Sequence, residues 1–354
     1  MNKVPIIRKK VPTLRELAAL AGVSHQTVAL AIRNSPRISL ATRKRLQRLA
    51  KKLGYRRNPQ VSAWVAYVRT KKASTDRATL AFIGLLPPNS AGQYEFYSEF
   101  YKGARAETDF LGYSLDFFAL SDYEQNWSRI EKIMKARNIR GCLVFSQFRG
   151  GHIAMHLDDF VVVCLDRPDH QLPLDFVSSD HYKGMTMALE NLRRLGYRRI
   201  GYYGGLNPDV EDLSRWRGAF AADMLYRKGG ERIPIMELEK EFPSAQSILD
   251  WWKKYRPDAI ISSFGHEAAI LKEAGVRIPE DVAVVKLDVP QNDRIFTGID
   301  QRLPSVAAAG VRLLVEKLER NEIGPPKIRR GIFIQPAWKN GKTAPSVRGS
   351  ILEK

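Results

Sequence analysis

His25 and Gln26 follow Ser24, which suits the capping position before a helix, in the run Val23-Ser24-His25-Gln26-Thr27. At the start of an exposed helix, a glutamine can pair with adenine through two hydrogen bonds in the DNA major groove, and a histidine can donate or accept one. Ser24 and Thr27 place short hydroxyls near the same helix start, where phosphate oxygens are well received. Asn34 falls at the far end and either touches a phosphate or only stops the helix, while Arg33, Arg37, Arg43 and Lys44 are phosphate candidates. His25 also has a plainer reading, an exposed polar residue without a base partner. Leu30 is expected to pack in a small core rather than to meet a thymine methyl group.

The charge of the chain supports nucleic-acid chemistry. The formal net charge is +19, and residues 1–72 carry 18 Lys/Arg against one acid, Glu16. The remaining residues are close to neutral, so the basicity belongs to a small N-terminal unit. Such an excess on a candidate DNA-reading helix points to phosphate binding that weakens steeply with salt.

Three short helices must position these side chains. Thr13 and Glu16 form a capping-box pattern before an apolar face of Leu14, Leu17, Ala18 and Ala21. Gly22 can end that helix in the left-handed conformation, and Ser24 restarts the chain as the second helix, which runs to about Asn34. A third helix is expected from Ser39 to Leu53, with Gly54 stopping it. Helix, tight turn and helix make a helix-turn-helix pattern.

The organisation that follows is a basic arm at 1–12 within a headpiece at 1–57, a hinge helix and linker at 58–77, a large domain at 78–342 and a disordered tail at 343–354. From Ala78 onward, apolar β-prone runs such as TLAFIGLL, GCLVFS, FVVVCLD, DAIISS and VAVVKLD alternate with helical segments. That alternation argues for parallel sheets with helices on both faces, and the length argues for two subdomains. Cys142 and Cys164 sit in apolar runs and read as buried strand thiols. No apolar run approaches a membrane span and no signal-peptide core is visible, so a cytoplasmic protein is expected. GxGxxG, GxxxxGK[ST] and HExxH are all absent, His152 and His156 lack a metal-type acidic partner, and Asp158-Asp159 reads as solvated. An enzyme, a metal site and a cofactor are therefore not expected.

The stretch LAALAGVSHQTVALAIRNSPRISLATRKRLQRLAKKLGYRRNP resembles the DNA-binding headpiece of the lactose/galactose repressor family of bacterial transcription regulators. Two departures stand out. Ala29-Leu30 replaces the family's usual Ser-Arg, and Arg57 replaces a proline. The large region resembles the same family's effector domain, which has the fold of periplasmic sugar-binding proteins, at RRLGYRRIGYYGG, AGVRIPEDVAVVKLD and TGIDQ.

The resemblance implies a homodimeric regulator, most simply a repressor, that binds pseudo-palindromic operator DNA under control of a small effector such as a carbohydrate. The alternative is a solute-binding module whose headpiece binds DNA only non-specifically. Thr13, Ser24, His25, Gln26, Thr27, Asn34, Tyr55, Asn58 and Trp64 make up the expected DNA-binding set. Trp64 corresponds to a hinge residue that wedges into the minor groove, and it either inserts there or packs against its twin or the large domain. Phe96 and Tyr97 correspond to ring-stacking residues, Arg215 to an arginine that clamps the effector, and Asp288 and Gln301 to polar effector contacts. Where the family often has Asn-Asp, this chain has Ser263-Phe264-Gly265-His266, so a usual ligand contact is missing or replaced.

Overall fold

The computed structural model describes residues 12–32, 34, 35, 37–53, 55, 77–87, 95–145, 153–166, 173–204, 211–226, 232–236, 244–263 and 265–347. The expected contacts Asn58 and Trp64 lie outside them.

The N-terminal unit is three helices: α1 (Leu14–Ala21), α2 (His25–Ile32) and α3 (Leu40–Lys52). Local chemistry sets each boundary. Glu16 N donates to Thr13 Oγ1 at 3.2 Å and Thr13 N to Glu16 Oε2 at 2.6 Å, closing the capping box. Gly22 takes φ 66°, a left-handed geometry that glycine adopts without a Cβ penalty. Ser24 caps α2 by accepting from Thr27 N at 3.0 Å, and Ser39 caps α3 by accepting from Thr42 N at 3.3 Å. Leu17, Ala18, Val28, Ala31, Leu46 and Ala50 bury one face of each helix in a shared core, with Tyr55 packed against it.

The remaining chain builds two sheets. The strands are β1 (Thr79–Gly84), β2 (Ser114–Ala119), β3 (Gly141–Phe145), β4 (Val161–Leu165), β5 (Asp175–Ser179), β6 (Ile200–Tyr203), β7 (Ala259–Ser262), β8 (Ala283–Lys286), β9 (Thr297–Asp300), β10 (Gly331–Ile334) and β11 (Ala337–Lys339). The helices are α4 (Glu95–Phe110), α5 (Trp127–Ala136), α6 (His181–Leu195), α7 (Glu211–Tyr226), α8 (Ala245–Tyr255), α9 (His266–Glu273) and α10 (Leu303–Arg320). The first sheet has the order β10-β5-β4-β3-β1-β2 and the second β11-β9-β8-β7-β6. Every pairing is parallel except β11 against β9. Apolar clusters cover both faces of each sheet, which is why the strands read as continuous apolar runs.

The chain passes between the sheets three times: from β5 to α6, from β9 to α10, and from β10 to β11. These crossings position the candidate cleft. At the second one, α4 and α10 approach closely at Gly103, where a Cβ would stand 2.4 Å from the backbone of Pro304.

Four strands are not evident from the apolar pattern. β5 carries serines, β9 is only four residues long, β10 is a partly exposed edge strand, and β11 has three residues. The disordered tail expected from residue 343 is a second point of difference. Thr343 and Ala344 are buried, and the Thr343 hydroxyl donates to Val284 O at 2.6 Å and accepts from Thr297 N at 3.0 Å. Tyr197 then donates to Pro345 O at 2.8 Å. Small polar residues suggest disorder by composition, yet here they satisfy the ends of β8 and β9. Cys142 and Cys164 are buried free thiols. Among the described residues, no helix is long and apolar enough to cross a membrane, and no cluster of His, Cys, Asp and Glu could hold a metal ion.

Candidate nucleic-acid interface and effector cleft

On α2, Val28 and Ala31 face the headpiece core, which turns His25 and Gln26 outward and leaves both exposed. Ala29 and Leu30 are half-exposed on the same side. Leu30 is not among the residues packed in the headpiece core, contrary to the expectation that it packs there. Four residues after Gln26, it adjoins the outward face. Ser24 Oγ and Thr27 Oγ1 lie 2.9 Å apart, so the two hydroxyls expected at phosphates also bond each other. Thr13 is exposed at the cap of α1.

Asn34 takes φ 58° and ends the second helical segment. Its backbone oxygen accepts from Arg43 Nη1 at 2.9 Å and its Oδ1 from the same atom at 3.1 Å. Two phosphate candidates are thereby joined to each other, one as a turn and the other as its brace. Gln47 Nε2 donates to Ala31 O at 2.9 Å and helps to close the C-terminal end of α2. Tyr55 is half-buried against the core, with its backbone N donating to Ala50 O at 2.9 Å.

The cleft residues gather at the crossings. Asp288 lies two residues past the end of β8, and Gln301 directly follows β9. Both line one small hollow together with Glu99, Asp300, Leu303 and Pro304. Burial pushes the Asp288 carboxyl up to about 6; Lys286 and His181 oppose the shift, and Asp166 and Asp300 add to it. Gln301 is buried, and its Nε2 donates to Leu287 O.

Arg215 stands apart from that hollow. Its guanidinium lies over the Phe333 ring, 4.6 Å from the centroid, linking α7 on the second sheet with β10 on the first. Phe96 and Tyr97 fall in the first turn of α4, and their side chains lie outside the described residues.

Three cleft residues were not singled out in the sequence. Asp166 follows β4, is buried and takes φ 69°. His181 opens α6 with Nε2 3.9 Å from Asp166 Oδ1, and its ring meets Trp216 edge-on at 4.7 Å. The signal for Asp166 was present, since VVVCLD ends in an acid directly after an apolar strand, as VAVVKLD does at Asp288. Nothing comparable marks His181 or Trp216, which meet only because α6 and α7 pack side by side.

Residues 13–58 match the model of the bacterial regulatory proteins of the lacI family, and residues 189–340 match a periplasmic binding protein-like domain. The chain belongs to the lacI family.

This lacI-family chain is 25% identical over 341 residues to the HTH-type transcriptional regulator CelR of Thermobifida fusca, covering 91% of this chain and 96% of that protein. It is 24% identical to the regulator PtxS of Pseudomonas plecoglossicida, covering 88% and 90% respectively. Two solved structures share the fold. A CelR–cellobiose complex superposes with a TM-score of 0.54 at 23% identity, covering 94% of this chain and 99% of that one. A lac repressor dimer bound to operator and the anti-inducer ONPF superposes with a TM-score of 0.54 at 18% identity, covering 95% and 99%. The lacI-family chain is therefore a DNA-binding transcriptional regulator, from a family of regulators rather than enzymes.

Proposed function

We propose that this regulator is a repressor that binds a pseudo-palindromic operator as a homodimer, and that a small effector in the cleft sets its DNA affinity. The observation that carries this reading is the outward pair His25 and Gln26 on a capped helix, within a unit holding nearly all of the net charge. Two copies related by a two-fold axis present two such helices to half-sites one helical turn or more apart. Base reading falls to His25 and Gln26, with Leu30 beside them in place of the family's arginine. Ser24, Thr27 and Thr13 serve the phosphates, Asn58 and Tyr55 continue that backbone contact, and Trp64 is the candidate minor-groove wedge. Asn34 acts there through its turn rather than as an independent contact.

In the cleft, Asp288, Gln301 and Arg215 sit where the chain crosses between the sheets. An effector bound better by one arrangement of the subdomains shifts their equilibrium and hence the spacing of the two headpieces. A carbohydrate is the effector class favoured by resemblance, and the CelR structure contains cellobiose. Footprinting of the full-length protein on DNA upstream of its own gene and of neighbouring genes tests the reading. A protected site of two related half-sites at physiological salt is the expected result. Uniform binding without protection favours the non-specific solute-binding module instead.

A further inference from the structure

The hollow at the second crossing is lined by three carboxylates, those of Glu99, Asp288 and Asp300, and by Gln291 and Gln301. Its volume is about 20 Å³, room for one water-sized group. The orientation of Gln301 is decided by chemistry. Its amide faces the carbonyl of Leu287, which can only accept, so the nitrogen must point there. That leaves Gln301 Oε1 on the other edge of the amide, and it is buried with no hydrogen-bond partner in a side chain 2% exposed. The Asp288 carboxylate makes no hydrogen bond to any described residue.

The lysines nearest the hollow already have partners, two of them on residues of its lining. Lys102 Nζ donates to Glu99 at 2.9 Å, Lys339 Nζ donates to Gln291 O at 2.9 Å, and Lys286 Nζ lies over the Phe296 ring, 4.8 Å from its centroid. Asp300 accepts from Arg302 N at 2.7 Å and from Gln291 Nε2 at 3.4 Å. Among the described residues, the open hydrogen-bonding capacity at this spot is that of two acceptors, Gln301 Oε1 and the Asp288 carboxylate. A buried acceptor without a donor is costly, and a carboxylate in a dry site gains most from a cation. A hydroxyl offers one donor and no charge, whereas an ammonium offers three donors and a positive charge.

We propose that the effector of this regulator is an amine, with its ammonium group seated between Asp288 and Gln301 and the rest of the molecule extending into the cleft. The inference rests on the reading of this cleft as the effector site. A metal ion is a poorer occupant, since no cluster of the described residues could hold one.

Isothermal titration of the full-length protein at pH 7.5 with matched pairs tests it: D-glucosamine against D-glucose, D-galactosamine against D-galactose, and D-mannosamine against D-mannose. The expected result is that an amino sugar binds at least about tenfold more tightly than its hydroxyl counterpart. Asp288→Asn then weakens the amine about tenfold or more, and by a larger factor than it weakens the hydroxyl compound. A parent sugar that binds as tightly as its amine overturns the proposal while leaving the cleft reading in place. Binding of none of the six compounds overturns both. The matched-pair result on the unaltered protein stands even if Asp288→Asn does not fold.

Discussion

The Arg215 guanidinium stacks on Phe333, although Arg215 stands on α7, a helix of the second sheet's subdomain, and Phe333 on β10 of the first sheet. Phe333 in turn meets Phe176 edge-on at 5.5 Å, and Arg329 covers Phe176 from 4.7 Å. A stack of two rings flanked by two guanidinium groups therefore starts at the outer strands of the first sheet and ends on α7 beside the second. The arginine that resemblance assigns to the effector is, in this conformation, a tie between the subdomains.

That tie makes the cleft equilibrium sensitive to Phe333. A part-exposed cation–π contact contributes about 0.5–1 kcal/mol. Phe333→Ala should therefore shift the effector-free balance between subdomain arrangements by about two- to fivefold. The measurement is the operator dissociation constant without effector, alongside the same constant for Phe176→Leu. A Phe333→Ala protein with unchanged operator affinity, and an unchanged radius of gyration in solution, shows that the stack does not report on the cleft.

A buried ion pair anchors α10 to the first sheet. Lys317 Nζ lies 2.5 Å from Asp175 Oδ2, and both side chains are almost fully buried. Asp175 Oδ1 also accepts from Arg330 N at 2.7 Å, which fixes the approach to β10. Removing one partner leaves a buried charge unpaired, so Asp175→Ala should lose about 3–5 kcal/mol of unfolding free energy in urea. The double variant Asp175→Ala, Lys317→Met should recover most of that loss. If the double variant is as unstable as the single one, the cost lies in the hydrogen bonds to Arg330 and not in the charge.

Glu267, at the start of α9, is fully buried, and burial lifts its carboxyl from an ordinary 4.5 up to about 7. A raised carboxyl favours the protonated folded state. Its stabilising contribution is complete below about 4.5 and is lost as pH rises through about 7. Glu267→Gln should match the wild type in melting temperature near pH 4.5 and exceed it at pH 8, by roughly 3 kcal/mol at most for a shift of this size. A melting difference that stays constant from pH 4.5 to 8 is incompatible with this titration. Asp288, raised to about 6, adds a dependence of the same sign, centred lower.

On the DNA side, Gln26 is exposed and its helix is packed through Val28 and Ala31. Gln26→Ala should leave the headpiece folded and reduce operator preference by roughly 1–3 kcal/mol, the usual worth of a bidentate base contact. The slope of affinity against salt should not change, because no phosphate contact is lost. Binding titrations on operator and scrambled DNA at several salt concentrations separate the two effects. Undiminished preference moves base reading to His25 and Leu30.

The headpiece could be read residue by residue because its signals are local. Caps at Thr13, Ser24 and Ser39, the left-handed turn at Gly22 and the apolar spacing act within a few residues of each other. Leu30 was the exception. Whether a leucine on a short helix packs inward depends on where the third helix lies, and α3 covers Val28 and Ala31 instead.

The amino-acid sequence by itself determined the three-helix unit, the concentration of charge on it and the alternation that makes two parallel sheets. These follow from short-range capping, from residue charge and from the period of apolar residues. Only the tertiary structure decided how the chain crosses between sheets. Those crossings bring Asp166, His181, Asp288 and Gln301 to one cleft from four distant segments, join Arg215 to Phe333, and bury Thr343 where composition suggested a loose tail. Such contacts depend on packing between elements far apart in the chain, which no local pattern records.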